Sequence, residues 1–139
     1  MDKIVKLITM GDGRGSLIAL EENHNVPFDV KRVFYIFGTQ EGIRRGYHAH
    51  HFLKQFAICV AGSCKFLLDD GKERHEYLLD SPDKGLLIEG MYWREMFEFS
   101  PDCILLVLAD DYYSPESYIR DYQEFLRVVK ENDSQTIGC

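Results

Sequence analysis

The chain has 139 residues, 45% hydrophobic and 28% charged, with a net charge of −7 at neutral pH. That length suits one domain with one core. The acidic balance argues against nonspecific nucleic-acid binding, which needs a basic face, and no apolar run approaches the roughly 20 residues of a membrane-spanning helix.

In chain order, KIVKLITM (3–10) is the first predicted strand. Glycines and charges interrupt it too soon for the apolar stretch of a signal peptide, so a cytoplasmic protein is expected. SLIALEE (16–22) follows, then KRVFYIFGT (31–39), rich in β-branched and aromatic residues. QFAICVAG (55–62) and SCKFLLDDG (63–71) form a pair around Gly62, and Asp70-Gly71 marks a hairpin turn into KERHEYLLD (72–80). SPDKG (81–85) is another turn, followed by GLLIEG (85–90), MYWREMFEF (91–99) and DCILLVLA (102–109). Strands recurring about every 8–12 residues are the pattern of an all-β sandwich or barrel. With no repeat or linker, residues 1–139 read as one domain, its barrel about 1–110.

The tail changes period. Tyr118, Tyr122, Phe125 and Val129 share a helical face, with Ser114 as N-cap and Pro115 at the first helical position. This predicts a helix over about 114–131. Cys59, Cys64 and Cys103 lie in apolar segments and Cys139 ends the chain; all are expected as reduced thiols. Cys59 and Cys64 are spaced too widely for a Cys-x-x-Cys pair.

Chemistry concentrates in RRGYHAHH (44–51). On a strand, His48 and His50 point to one face, with Tyr47, Ala49 and His51 on the other. A His-x-His pair usually reads as two metal ligands. Counting onward from it meets Gln55 and Gly62, and from Gly85 it meets Met91, Trp93, Met96 and Ser100. In this arrangement the chain resembles the cupin superfamily, a jelly-roll β-barrel fold whose two motifs supply three His and one Glu to a metal. Here Gln55 stands at the Glu position and Met96 at the third His. An amide and a thioether replace a carboxylate and an imidazole poorly, and two histidines fall short of the three protein ligands normal at a catalytic metal. No metal is therefore expected. Two imidazoles that titrate near neutrality suit proton transfer beside a carbonyl. The plainer alternative is a pair of satisfied polar residues in a binding pocket.

Over nearly its whole length the chain resembles the dTDP-4-keto-6-deoxyglucose 3,4-ketoisomerases, small metal-free cupins. RGSLIALEE (14–22), PFDVKRVFYIFGT (27–39), RRGYHAHH (44–51), AGSCKFLLDDGK (61–72), LDSPDKGLLIEGMYW (79–93) and DYYSPESYIRDY (111–122) carry the resemblance. It implies an all-β cupin barrel with a short C-terminal helix. It also implies a ketone moved from C4 to C3 of a dTDP-linked 4-keto-6-deoxyhexose through an enediol. No cofactor is needed, because the oxidation is internal. His48 and His50 inherit the proton transfers, His50 as the carbon base and His48 at the oxygens. Gln55 and Tyr35 are candidates for the sugar oxygens. Arg14 and Arg45, ahead of Arg32, Arg44 and Lys54, are candidates for the phosphates, since arginine grips phosphate oxygens in a bidentate way. Trp93 and Arg94 are expected at the pocket mouth, with core packing an equal reading for Trp93. The family further implies a homodimer with an exchanged N-terminal strand, and Arg14 and Arg94 match different subgroups in product stereochemistry. The competing readings are a metal-dependent cupin enzyme and a noncatalytic nucleotide-sugar binding module.

Overall fold

The computed structural model describes residues 3–137; Cys139 lies outside the described residues. Its strands are Ile4–Lys6 (β1), Met10–Asp12 (β2), Gly15–Leu17 (β3), Arg32–Ile36 (β4), Arg45–His50 (β5) and Gln55–Ala61 (β6). They continue with Cys64–Asp69 (β7), Arg74–Leu79 (β8), Lys84–Ile88 (β9), Trp93–Phe97 (β10), Ile104–Ala109 (β11) and Tyr118–Ile119 (β12). Among the described residues, one five-stranded sheet runs β1-β9-β6-β11-β4 and another runs β12-β5-β10-β7-β8; β2 and β3 form a separate hairpin. Every strand pairing is antiparallel.

The two sheets pack face to face because alternate side chains of each are apolar. Ala57, Cys59, Leu105 and Val107 of the first sheet share one buried cluster with Phe66, Leu68, Leu79 and Met96 of the second. On β6 the intervening residues, Phe56 and Ile58, point to the opposite face and meet Leu7, Val26 and Phe28. Strand β6 is thus covered on both sides, which explains its unbroken apolar run. A third cluster, Ala49, Trp93, Ile119 and Phe125, lies on the outer face of the second sheet, under the C-terminal helix.

That helix corrects the expected one over about 114–131. Pro115–Ser117 makes only a 3-10 turn, and Ser114 forms no side-chain cap. The chain then extends as β12, placing Tyr118 opposite His50 and Ile119 opposite Ala49. The α-helix, Tyr122–Ile137 (α1), starts after Asp121. Asp121 Oδ1 accepts the backbone N–H groups of Gln123 and Glu124 at 2.8 and 3.1 Å, so Asp121 is the N-cap. Tyr118 leaves the predicted helical face because a ladder on β5 and a stronger cap three residues later compete with the local period. Phe125 keeps its predicted role and is fully buried. No helix among the described residues is long and apolar enough to cross a membrane.

Candidate functional site

A cavity of about 530 Å³ opens between the two sheets. Phe34, Ile36, Gln55, Ala57, Ile88 and Val107 line it from the first sheet. Arg45, Gly46, Tyr47, His48, Phe66, Arg94, Met96 and Tyr118 line it from the second, joined by Arg44, Tyr113 and Arg120.

Local backbone strain aims the histidines. Arg94 pairs with His48 but Glu95 pairs with Gly46, so β5 carries one extra residue, Tyr47, in a β-bulge. Gly46 has φ 95° and Tyr47 φ 58°. A Cβ on Gly46 would stand 2.8 Å from the Arg94 carbonyl oxygen. Only glycine allows both the left-handed backbone and this close approach. Tyr47 consequently reaches the cavity together with His48, where simple alternation would have sent it away.

His48 Nδ1 lies 3.1 Å from the Gly46 carbonyl oxygen. A carbonyl can only accept, so the neutral ring that makes this bond carries its proton on Nδ1 and leaves the Nε2 lone pair free. His50 stands behind His48, fully buried, with neither ring nitrogen hydrogen-bonded. Its ring meets His48 edge-on at 4.8 Å between centroids and Tyr118 at 4.2 Å.

Electrostatics keep both rings neutral. Burial, then the Arg94 charge, lowers His48 to about 4. Burial, followed by Arg94, His48, Arg32 and Arg120, lowers His50 to about 2. A base with so low a pKa is ready at neutral pH. Activity that depends on His48 as a base is therefore expected to stay level from pH 8 down to about 5 and fall as the pH passes through about 4. Stability follows the same direction. The unfolded histidines bind protons near pH 6.5 and the folded ones do not, so stability declines as pH drops below 6.5 towards the folded values. A pH–rate profile set beside melts at the same pH values separates the two effects.

Arg94 is the third element. It is 1% exposed. Its Nη1 donates to Gln55 Oε1 at 2.6 Å and its Nη2 to the Tyr92 carbonyl at 3.1 Å, while its Nε is buried without a partner. Both of these partners are neutral. Burial pushes the guanidinium down to about 10, which still leaves it charged at neutral pH. Arg44 differs: it pairs with Glu95 Oε1 at 2.9 Å and lies over the Phe97 ring.

Of the expected site residues, His48, Arg45, Gln55 and Arg94 come together at the cavity, with His50 directly behind. Three others are placed elsewhere in this chain. Trp93 points from the opposite face of β10 into the helix-covered cluster, against Tyr122 and Phe125, and its Nε1 donates to Glu95 Oε2. Tyr35 is 62% exposed on the outer face of β4, where it neighbours Phe37; alternation gives the cavity Phe34 and Ile36 instead. Arg14 sits on the β2–β3 hairpin and is ion-paired to Asp12 at 2.6 Å. Polar cavity residues not anticipated include Tyr47, Tyr113, Tyr118 and Arg120. The predicted helix had absorbed the last two, and only the Asp at 121 signalled a later helix start.

The counted metal positions Gln55 and Met96 do reach the cavity with His48. The donor set remains two imidazoles, an amide and a thioether, with the Arg94 cation hydrogen-bonded to that amide. This set does not fit a catalytic metal centre. Among the described residues, three metal-ligating groups converge only at Cys59, Cys64 and Cys103, buried in the core cluster.

Neutral imidazoles beside an unpaired buried guanidinium, with further arginines at the rim, define the class: an antiparallel two-sheet protein whose cavity suits acid/base chemistry on an anionic ligand. Comparison with known proteins narrows this class. Residues 1–130 match the family described as FdtA: WxcM-like, C-terminal. A TDP-4-oxo-6-deoxy-alpha-D-glucose-3,4-oxoisomerase of Aneurinibacillus thermoaerophilus is 47% identical over 99% of both chains. The crystal structure of a 3,4-ketoisomerase from Helicobacter canadensis is 47% identical, with a TM-score of 0.90 over 92% of this chain and 96% of that one. The WlaRB TDP-quinovose 3,4-ketoisomerase from Campylobacter jejuni is 52% identical, with a TM-score of 0.86 over 90% and 96%. The chain belongs to the TDP-sugar 3,4-ketoisomerase family.

Proposed function

We propose that this protein moves the ketone of dTDP-4-keto-6-deoxyglucose from C4 to C3, by histidine acid/base catalysis through an enediol. Family membership supports the reaction and substrate. The observation that carries the mechanism is His48, neutral, on the cavity wall and beside the unpaired charge of Arg94.

The C4 ketone acidifies the C3 proton. His48 Nε2 takes that proton, and negative charge develops on O4. A fixed cation in a water-poor cavity stabilises such charge far more than water does. Arg94 supplies it, held in place by Gln55. A proton then passes from O3 to O4, His48 returns its proton to C4, and the ketone is left at C3. The roles suggested by the resemblance are thereby exchanged: His48 is the carbon base, and His50, shielded from the cavity, supports it from behind. Arg45 and Arg120 are assigned to the diphosphate, because both reach the cavity and among the described residues neither forms an ion pair with a carboxylate.

The further readings belong to the same proposal. The facing sheets form the closed jelly-roll barrel of the cupins, about residues 1–110. The enzyme acts in the cytoplasm as a homodimer that exchanges its N-terminal strand. Such an exchange would carry Arg14 towards the partner's cavity. No redox cofactor is needed, since substrate carbon is both oxidised and reduced, and the donor set of two imidazoles, an amide and a thioether argues against a metal.

Incubating the protein with dTDP-4-keto-6-deoxyglucose in D₂O tests the reading. The expected NMR result is a 3-keto product, with deuterium at C4 wherever the proton on His48 exchanges with solvent before its return. Recovery of unchanged, unlabelled substrate would leave only a binding module. The same spectrum reports the C4 configuration.

A further inference from the structure

The ketone migrates between C3 and C4, and no bond to C6 is made or broken. Nothing in that chemistry requires C6 to be a methyl group rather than a hydroxymethyl group. Selectivity at that carbon has to come from the cavity wall.

The wall is divided by polarity. At its mouth stand Arg44, Arg45, Tyr47, Tyr113 and Arg120, all exposed. Inside, the polar groups lie at one level: Arg94 pairs with His48 across the strands and donates to Gln55. Two residues further along β6 and β10, the side chains on the same face are Ala57 and Met96. Ala57 pairs directly with Val107, and Met96 with Phe66. These four are buried, line the cavity and share one core cluster between the sheets. None has a hydrogen-bond donor, and the only acceptor among their side chains is the weak Met96 thioether.

The order of the strands orients a sugar against this wall. In a pyranose C1 and C4 stand opposite each other, so a diphosphate held on C1 at the mouth sends C4 inward. The second sheet runs β5-β10-β7 and carries His48, Arg94 and Phe66 in that order, with neighbouring strands about 4.8 Å apart. With C3 at His48 and O4 at Arg94, the next ring carbon, C5, falls on the β7 side. Its substituent, C6, then meets Phe66 and the three apolar side chains around it.

We infer that Ala57, Phe66, Met96 and Val107 seat the C6 methyl group and make the cavity selective for 6-deoxy sugars, an inference that rests on the ketoisomerase reading above. A methyl group there exchanges water for carbon. A C6 hydroxyl would be buried without a donor or a strong acceptor among these four side chains. Ala57 sets the size of the seat, because it is the smallest of the four and a larger side chain would take the space of the methyl group.

Calorimetric binding of three TDP-linked sugars without a ketone tests this independently of turnover: 6-deoxyglucose, glucose, which adds a hydroxyl on C6, and xylose, which lacks C6. The wild-type protein is expected to bind TDP-6-deoxyglucose about tenfold tighter than TDP-glucose, with TDP-xylose between them, because an apolar pocket penalises an added hydroxyl. Ala57→Val is expected to weaken TDP-6-deoxyglucose about tenfold while TDP-xylose and TDP stay within about threefold, since only a ligand with C6 meets the added methyl groups. Val107→Thr, which keeps the shape and adds a hydroxyl, is expected to narrow the 6-deoxy preference by about threefold or more. Equal affinity of the wild type for the 6-deoxy and 6-hydroxy sugars overturns the assignment before any variant is made. An equal loss for all ligands in Ala57→Val, as from a packing defect, overturns it too, and so does an unchanged preference in Val107→Thr. The keto sugar keeps this failure apart from that of the ketoisomerase reading. A protein that isomerises it in D₂O but binds all three conjugates alike keeps that reading and loses this inference; one that binds none of them and leaves the keto sugar unchanged loses both.

Discussion

His48→Asn is expected to cripple isomerisation without unfolding the protein. The expected loss in kcat is about 10²–10⁴-fold, the range for removing a positioned general base. Asparagine preserves polarity and most of the volume, and its amide can still donate to the Gly46 carbonyl oxygen that His48 Nδ1 now faces at 3.1 Å. Substrate affinity is expected to change little, because the arginines assigned to the diphosphate, Arg45 and Arg120, are other residues of the wall. C3–H exchange into D₂O is expected to disappear together with isomerisation. His50→Asn, by contrast, is expected to retain measurable exchange, since His50 is buried behind the wall. A larger loss in His50→Asn than in His48→Asn would falsify the exchange of roles and restore His50 as the carbon base.

Much of this site is legible in the amino-acid sequence, and the reason is the strand period. His48 and His50 share a face because residues two apart must, and Gln55, Arg94 and Met96 emerge by counting along the chain. Where alternation carries an in/out signal, that reading works. It fails on β10 because all five residues, Trp93 to Phe97, are buried. One face looks onto the cavity and the other onto α1, so composition cannot say which side holds Trp93 and which Arg94. It fails on β4 for the opposite reason. This strand lies at a sheet edge in the single chain, and it alternates half-buried Phe34 and Ile36 with exposed Val33 and Tyr35. Every one of these residues is apolar or aromatic, so the sequence carries no polar marker of the outer face. Tyr118 and Arg120 are hidden by Pro115 and a genuine helical spacing, which the pairing of β12 with β5 overrides. The bulge at Tyr47 depends on Gly46 closing against the Arg94 backbone, a contact 48 positions away along the chain and outside any local pattern.

Replacing Arg94 by Met is expected to remove activity and raise stability at once. The catalytic loss should be about 10²–10³-fold in kcat, as for the loss of one preorganised donor to a developing oxyanion. The stability gain follows from what surrounds the guanidinium. It is 1% exposed, its two hydrogen-bond partners are neutral oxygens, and its Nε is buried without a partner. Burial lowers its pKa to about 10, which means that the folded state binds this proton less tightly than the unfolded chain does. At neutral pH the charge therefore opposes folding. Replacing buried ionic groups by apolar ones of similar volume has stabilised other proteins by about 1–4 kcal/mol. Methionine fits beside Met96, Ile88 and Phe66, which already line the cavity. Gln55 Oε1 loses its donor but faces the cavity, where water can replace it. A thermal melt and a kinetic assay on the same preparation check both halves. An active variant would show that the enediolate does not rest on Arg94. An inactive variant with a lower melting temperature would show that the guanidinium is structural. On the proposed mechanism, an unpaired cation kept beside a neutral base at a cost in stability suits a reaction in which negative charge appears only transiently, at the substrate oxygens between those two groups.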